Sequence, residues 1–99
     1  MSIINHIIRQ EIINKKTKHR TGGTIEIGIP FPLRVGDKIQ HPFYHRDHEA
    51  VVLDSTIILD DKYFESIYVY MTPIEVETDR EVDLQRDVLK SHDWEVYGG

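Results

Sequence analysis

The sequence lacks cysteine altogether, and it contains no apolar run of membrane-spanning length. The absence of cysteine excludes disulfide bonds, thiolate zinc sites and cysteine nucleophiles, and it is typical of proteins in a reducing compartment. The first residues carry no basic run ahead of an apolar stretch. We therefore expect a cytoplasmic protein with no membrane partner.

Leucine and alanine are also scarce, since the 99 residues include only six of them, against twenty-two isoleucines and valines. Helical proteins depend on alanine and leucine, whereas β-branched side chains pack well on a pleated surface. With 39% hydrophobic and 29% charged residues, the composition is that of an ordinary globular chain of one-domain size. We predict a single domain over residues 1–99, built mainly of β-strands.

Alternation of apolar and polar residues locates the strands along the chain. Every second residue of 25–31 is apolar, and Pro30 indicates an edge strand or a strand end. Residues 51–59 and 63–71 form the predicted hairpin around Asp60-Asp61-Lys62. Because 51–59 is apolar on both faces, we expect that strand to lie inside the sheet.

Residues 3–13 and 79–91 each fit two structures. Six isoleucines in 3–13 favour a strand, although five of them also fit a helical stripe. The pattern from Thr78 to Glu81 matches a helix capping box, and Lys90 lies where the last turn would be. This favours a helix over 79–91, although the apolar residues there also fit a period of two. We predict a strand in the first segment and a C-terminal helix in the second.

Five to six short strands, separated by turn signals, predict a small barrel or a sandwich with that C-terminal helix. The stretch Leu33-Arg34-Val35-Gly36-Asp37-Lys38-Ile39 resembles the hydrophobic-x-Val-Gly-Asp-x-hydrophobic turn of many SH3-like and related small barrels. This resemblance makes an SH3-like barrel one candidate architecture. It implies nothing about function, because unrelated folds and activities share such turns.

The charges are divided unequally along the chain. Residues 1–46 contain eight Lys or Arg and three acids, whereas residues 47–99 contain four Lys or Arg and fourteen acids. Such halves attract each other within one fold, or they attract a partner. The sequence has neither a nucleophile elbow around its serines nor a phosphate-cradling glycine pattern. We expect a binding or interaction module rather than an enzyme, acting on another protein or by self-association, with no cofactor.

A basic segment separates the first two predicted strands. Its cations are Lys15, Lys16, Lys18 and Arg20. A mobile basic loop contacts phosphates, and exposed aromatics on a small barrel stack on bases. Nucleic-acid binding through residues 15–20 is therefore the alternative function. The pI of about 5.6 argues against it, since dedicated nucleic-acid binders are usually basic, and a solvated hairpin tip is the other interpretation.

Histidines and acids are concentrated between residues 41 and 49. The candidate metal ligands are His41, His45, Asp47 and His48. Imidazole and carboxylate groups bind zinc and iron, and histidine also serves in acid–base chemistry near neutral pH. A metal-dependent activity is thus the second alternative. The spacing matches no standard motif and Arg46 would repel a cation, so we favour a polar connecting loop.

The C-terminal region supports two further expectations. The acids between Glu75 and Asp87 indicate a solvated helix or strand face that offsets the basic loop. Trp94 and Tyr97 lie close to the C-terminal end of the sequence, where large aromatic side chains usually dock on the domain. We predict that they belong to a closing strand, whereas an exposed Trp94 would indicate a partner surface.

Overall fold

The computed structural model describes residues 3–41, 43–44, 50–59 and 65–98. These residues form seven strands and one helix, in the order β1 (Ile4–Asn14), β2 (Arg20–Ile29), β3 (Lys38–Ile39), β4 (Ala50–Leu59), β5 (Glu65–Met71), β6 (Ile74–Val76), α1 (Asp79–Ser91) and β7 (Glu95–Gly98). The predicted mainly-β fold with a C-terminal helix is confirmed. The strand predicted over residues 3–13 and the helix predicted over 79–91 are confirmed as well.

The strands form one curled sheet with the shape of a half-barrel, in the order β3-β4-β5-β1-β2-β7. β1 is its central strand, because it pairs antiparallel with β2 along its length. On its other side β1 pairs in parallel with β5 through residues 5–9 and with β6 through residues 12–14. This arrangement confirms the prediction of a small barrel-like β domain.

The alternation of side chains gives the sheet an inner and an outer face. Ile8 and Ile12 of β1 lie on the inner face, where Val69 of β5 is the neighbour of Ile8, and all three are buried. Ile7 and Arg9 lie on the outer face and are partly exposed. The inner face therefore carries the hydrophobic core, as the period-two pattern in the sequence requires.

α1 covers one end of the inner face. Thr78 caps the helix, since its hydroxyl accepts a hydrogen bond from the Glu81 N–H at 3.1 Å. The helix buries Val82 and Leu89. A Cβ on Gly23 of β2 would lie 3.4 Å from the Leu89 side chain, which shows how closely helix and sheet pack. Among the described residues, no helix is long and apolar enough to span a bilayer.

Polar contacts fix the start of α1 to the turn between β1 and β2. The Asn14 side-chain amide and the Thr17 hydroxyl both donate to an Asp79 carboxylate oxygen, at 2.8 Å and 2.7 Å. These two hydrogen bonds, Thr17 first, lower the pKa of Asp79 because they stabilise its charged form. The basic turn and the acidic helix therefore belong to one end of the molecule.

β4 and β5 form the predicted hairpin, and its predicted turn at residues 60–62 lies outside the described residues. β3 pairs only with Ala50 and Val51 of β4. Beyond a register shift between Val52 and Asp54, β4 pairs with β5 on one side and with no described strand on the other. The expectation that this strand lies inside the sheet is wrong for its second half, because β3 is too short to cover it.

Candidate functional site

An open groove lies on the inner face, at the end of the sheet that α1 does not cover. Its volume is about 500 Å³. The apolar and aromatic side chains that line it include Ile8, Ile27, Ile29, Leu33, His41 and Trp94. Asp37, Lys38 and Gln40 supply polar groups. A concave, mainly apolar surface with a few polar groups is the usual composition of a binding site.

The turn at residues 33–37 supports one wall of this groove. The Asp37 N–H donates to the Arg34 carbonyl oxygen at 3.0 Å, and the Asp37 carboxylate accepts from the Arg34 N–H at 2.8 Å. Gly36 has a φ of 92°, a left-handed conformation that favours glycine. Its N–H donates to the Val52 carbonyl oxygen at 2.9 Å. The seven-residue pattern in the sequence therefore does form a turn, which is hydrogen-bonded to β4.

Two buried polar residues of β1 hold the segments that surround the groove. His6 accepts a hydrogen bond at Nε2 from the Leu33 N–H at 3.1 Å, and its Nδ1 lies 2.9 Å from the Ile4 carbonyl oxygen. The Gln10 side-chain amide donates to the carbonyl oxygen of Thr72 at 3.0 Å, and its Oε1 accepts from the Tyr44 hydroxyl at 2.7 Å. Satisfied polar groups of this kind position loops. No sequence pattern predicted these contacts.

Trp94 is 3% exposed, which confirms that it docks on the domain. The ring of His41 meets its indole edge-on, with centroids 5.3 Å apart, and Phe43 lies 5.9 Å away. Burial, and next the nearby His92, lowers the pKa of His41. Among the described residues the buried Trp94 Nε1 has no hydrogen-bond acceptor. His41 and Trp94, which line the groove, therefore belong to an aromatic cluster that includes a buried indole N–H without a described acceptor.

The groove runs beside an unpaired stretch of β2. β7 pairs only with residues 21–24 of β2. Within the part of the chain that the structure describes, residues 25–29 have no strand partner on that side. Ile27 and Ile29 face the groove, and Glu26 faces the outer side of the sheet. We call residues 25–29 the β2 edge.

A second concavity, of about 400 Å³, lies where the β2 edge begins. Its lining includes three carboxylates, those of Glu26, Asp93 and Glu95, together with Ile7 and Thr24. Within the described residues these carboxylates form neither ion pairs nor side-chain hydrogen bonds. We call this concavity the acidic recess, and its three carboxylates have no cationic partner among the described residues.

On the outer face, Arg9 lies between two tyrosine rings. Its guanidinium carbon is 5.0 Å from the Tyr70 ring centroid and 4.7 Å from that of Tyr97, and its Nε donates to the Tyr97 hydroxyl at 2.6 Å. That hydrogen bond raises the pKa of Arg9, while burial raises the pKa of Tyr97. A Cβ on Gly22 would approach the Tyr97 hydroxyl to 2.5 Å. Gly22 therefore allows Tyr97 to cross β2 and reach Arg9.

The basic segment predicted from the sequence forms the turn between β1 and β2 and the start of β2. Three of its four cations lie within 4 Å of carboxylates, namely Lys15 with Glu75 and Glu77, Lys16 with Glu77, and Arg20 with Glu11. Lys18 has a φ of 63°. The basic and acidic halves of the sequence thus attract each other within the fold. Nucleic-acid binding through residues 15–20 stays a prediction, and these ion pairs weaken the case for it.

Of the four predicted metal ligands, His41 is described and lies in the aromatic cluster. His45, Asp47 and His48 lie outside the described residues. In the part of the chain that the structure does describe, no group of three or more potential ligands is close enough to hold a metal ion. The metal site stays a prediction.

The second half of β4 is a further candidate surface. Four large apolar side chains are exposed there, those of Leu53, Ile57, Ile58 and Leu59. We call residues 53–59 the β4 edge. The sequence signal was present, because the segment is apolar on both faces, but the same pattern is typical of a strand inside a sheet.

The comparisons with known proteins concern the chain as a whole. Neither the models of protein families, nor the curated proteins, nor the solved structures contain a match to this chain. The function is therefore inferred from the surfaces alone.

Proposed function

We propose that this chain is a protein-interaction module that associates with a second copy of itself through the β4 edge. The observation that carries the proposal is the exposure of Ile57 and Leu59, which are 60% and 63% accessible on a strand with one unpaired side in the described structure. Exposed apolar residues in a contiguous stretch mark interaction surfaces more often than isolated ones do.

The backbone of the β4 edge supports the same proposal. An uncovered strand presents unpaired N–H and C=O groups, and folded proteins usually protect such strands with lysine, proline or inward-pointing charges. Residues 53–59 contain no lysine and no proline, and Asp54 is their only charged residue. The β4 edge therefore lacks the usual protection against pairing with another strand.

A second copy is a suitable partner because the segment can pair with itself. In an antiparallel pairing centred on Thr56, Ser55 of each copy lies opposite Ile57 of the other copy. Asp54 then lies opposite Ile58, so no carboxylate faces another carboxylate. Such a contact is isologous and closes as a dimer. It would join the two curled sheets into one continuous sheet.

Sedimentation equilibrium across a concentration series tests this proposal. We expect a dimer for the natural chain and a monomer for the Ile57→Lys variant, because lysine places a charge in the middle of the contact. Leu84→Lys is the matched control, since Leu84 is 51% exposed on α1 and its replacement adds the same charge. We expect this control to remain dimeric.

A natural chain that sediments as a monomer up to about 100 µM would contradict the proposal, because even a micromolar dissociation constant produces dimer there. Equal dissociation of both lysine variants would also contradict it. That result would mean that added charge weakens the dimer from any position.

A further inference from the structure

The β2 edge separates two recesses of opposite chemical character. On its inner side lies the apolar groove with Ile27, Ile29 and Trp94. On its outer side, where β7 ends, lies the acidic recess with Glu26 and Glu95. The edge itself has no strand partner among the described residues. Three independent features therefore meet along one stretch of five residues.

A strand added to the β2 edge would continue the sheet beyond the point where β7 stops. Its backbone would pair with the unpaired N–H and C=O groups of residues 25–29, as in known cases of strand addition. Its side chains would point alternately to the two faces of the sheet, because successive residues of a strand do so. One set would enter the groove, and the other would approach the acidic recess.

The lining of each recess specifies the side chains that fit. The groove favours apolar residues, since its strand walls are isoleucines. The acidic recess favours lysine or arginine, because its three carboxylates lack cationic partners within the described residues.

We infer that the β2 edge is a docking site for an extended segment of a partner protein in which apolar residues alternate with lysine or arginine. This site is separate from the β4 edge. The two are distinguishable because self-association leaves residues 25–29 uncovered.

Titration with a short peptide of alternating valine and lysine tests the inference. Trp94 is the only tryptophan in the sequence and lines the groove, so its fluorescence reports binding directly. We expect a saturable change in emission that weakens as salt is added, because exposed charge pairs are screened. Two control peptides are a valine–glutamate alternation and a peptide with the same valines and lysines in separate blocks. Neither should bind comparably.

Variants locate the site. The double variant Glu26→Gln with Glu95→Gln should weaken binding by about three- to tenfold, the effect expected for losing two exposed ion pairs. Glu81→Gln with Asp87→Asn is the matched control, because it removes the same charge from α1 and should leave the affinity unchanged. Amide chemical shifts should change at residues 25–29 when the valine–lysine peptide is added.

Three results would overturn the inference. One is equal binding of the valine–glutamate peptide, which would show that the acidic recess does not select lysine or arginine. Another is a set of shift changes confined to residues 53–59, which would place the peptide on the β4 edge. The third is a change at residues 25–29 that follows protein concentration without peptide, which would make a second copy the occupant.

Discussion

Similar aliphatic side chains are buried at one end of the sheet and exposed at the other. Under α1, Ile12 and Leu89 are fully buried, whereas Ile57 and Leu59 at the far end of β4 are more than half exposed. The difference follows from the length of the covering element. The 13 residues of α1 extend about 20 Å, whereas the ten residues of β2 extend about 33 Å. In this sheet, whether an aliphatic side chain is buried depends on whether another element packs over it and not on the type of residue.

The uncovered end is where both proposed interaction surfaces lie. The groove, the β2 edge and the β4 edge all begin where α1, β7 or the two-residue β3 stops. The covered end is held by capping and by the hydrogen bonds of Asp79. We thus expect the covered end to supply most of the stability, and the proposed binding surfaces lie at the other end of the sheet. The following substitutions test that division.

The largest expected difference is between two leucine-to-alanine substitutions. Leu89→Ala at the covered end should cost about 2–5 kcal/mol of unfolding free energy, because it leaves a cavity in the core. Leu59→Ala at the uncovered end should change it by about 0.5 kcal/mol or less, measured on the monomer. Urea denaturation measures both. Comparable losses would mean that the two ends contribute equally to stability.

Two glycines provide the next comparison. A Cβ on Gly22 would lie 2.5 Å from the Gln10 carbonyl oxygen and 2.5 Å from the Tyr97 hydroxyl. Gly22→Ala should therefore cost about 1–3 kcal/mol through overpacking. A Cβ on Gly28 would meet only the side chain of Ile3, which is exposed and able to move. Gly28→Ala should lower the unfolding free energy less than Gly22→Ala in the same urea experiment. A larger loss for Gly28→Ala would contradict this prediction.

The helix cap at Thr78 should have a smaller effect. Thr78→Ala removes the acceptor for the Glu81 N–H and should lower the unfolding free energy by about 1 kcal/mol. Thr78→Ser keeps a hydroxyl and should retain most of that stability. Thermal unfolding followed by circular dichroism compares the two. An alanine variant as stable as the natural chain would show that the cap does not anchor the helix.

The smallest expected effect is a pH dependence from His41 at the uncovered end. Because the folded pKa lies below the ordinary value of 6.5, the unfolded chain takes up the proton first as the pH falls. Stability should therefore decline as the pH falls from about 6.5 through the folded pKa, and His41→Phe should reduce this decline. Urea denaturation at a series of pH values measures it. The same dependence of the unfolding free energy on pH in the natural chain and in His41→Phe would contradict the prediction.

Much of the fold was predictable from local patterns. The isoleucine-rich first strand, the hairpin of β4 and β5, the cap at Thr78 and the docking of Trp94 all follow from periodicity or from residue type. The position of β4 in the sheet was not predictable, because a strand with apolar residues on both faces can be either covered or exposed. The candidate surfaces were missed for the same reason, since a sequence does not show where a neighbouring strand ends.

The sequence by itself determined the β-rich class, the extents of β1, β4 and β5 to within two residues and the capped helix, because these depend on contacts between residues close in the chain. It did not give the start of β2, which begins at Arg20, five residues before the predicted alternation. Only the tertiary structure decided which strands lie at an edge, that Gly22 lets Tyr97 reach Arg9, and that Glu26, Asp93 and Glu95 meet beside an apolar groove. These features join residues separated by up to 88 positions, as Arg9 and Tyr97 are. The curl and order of the sheet bring them together.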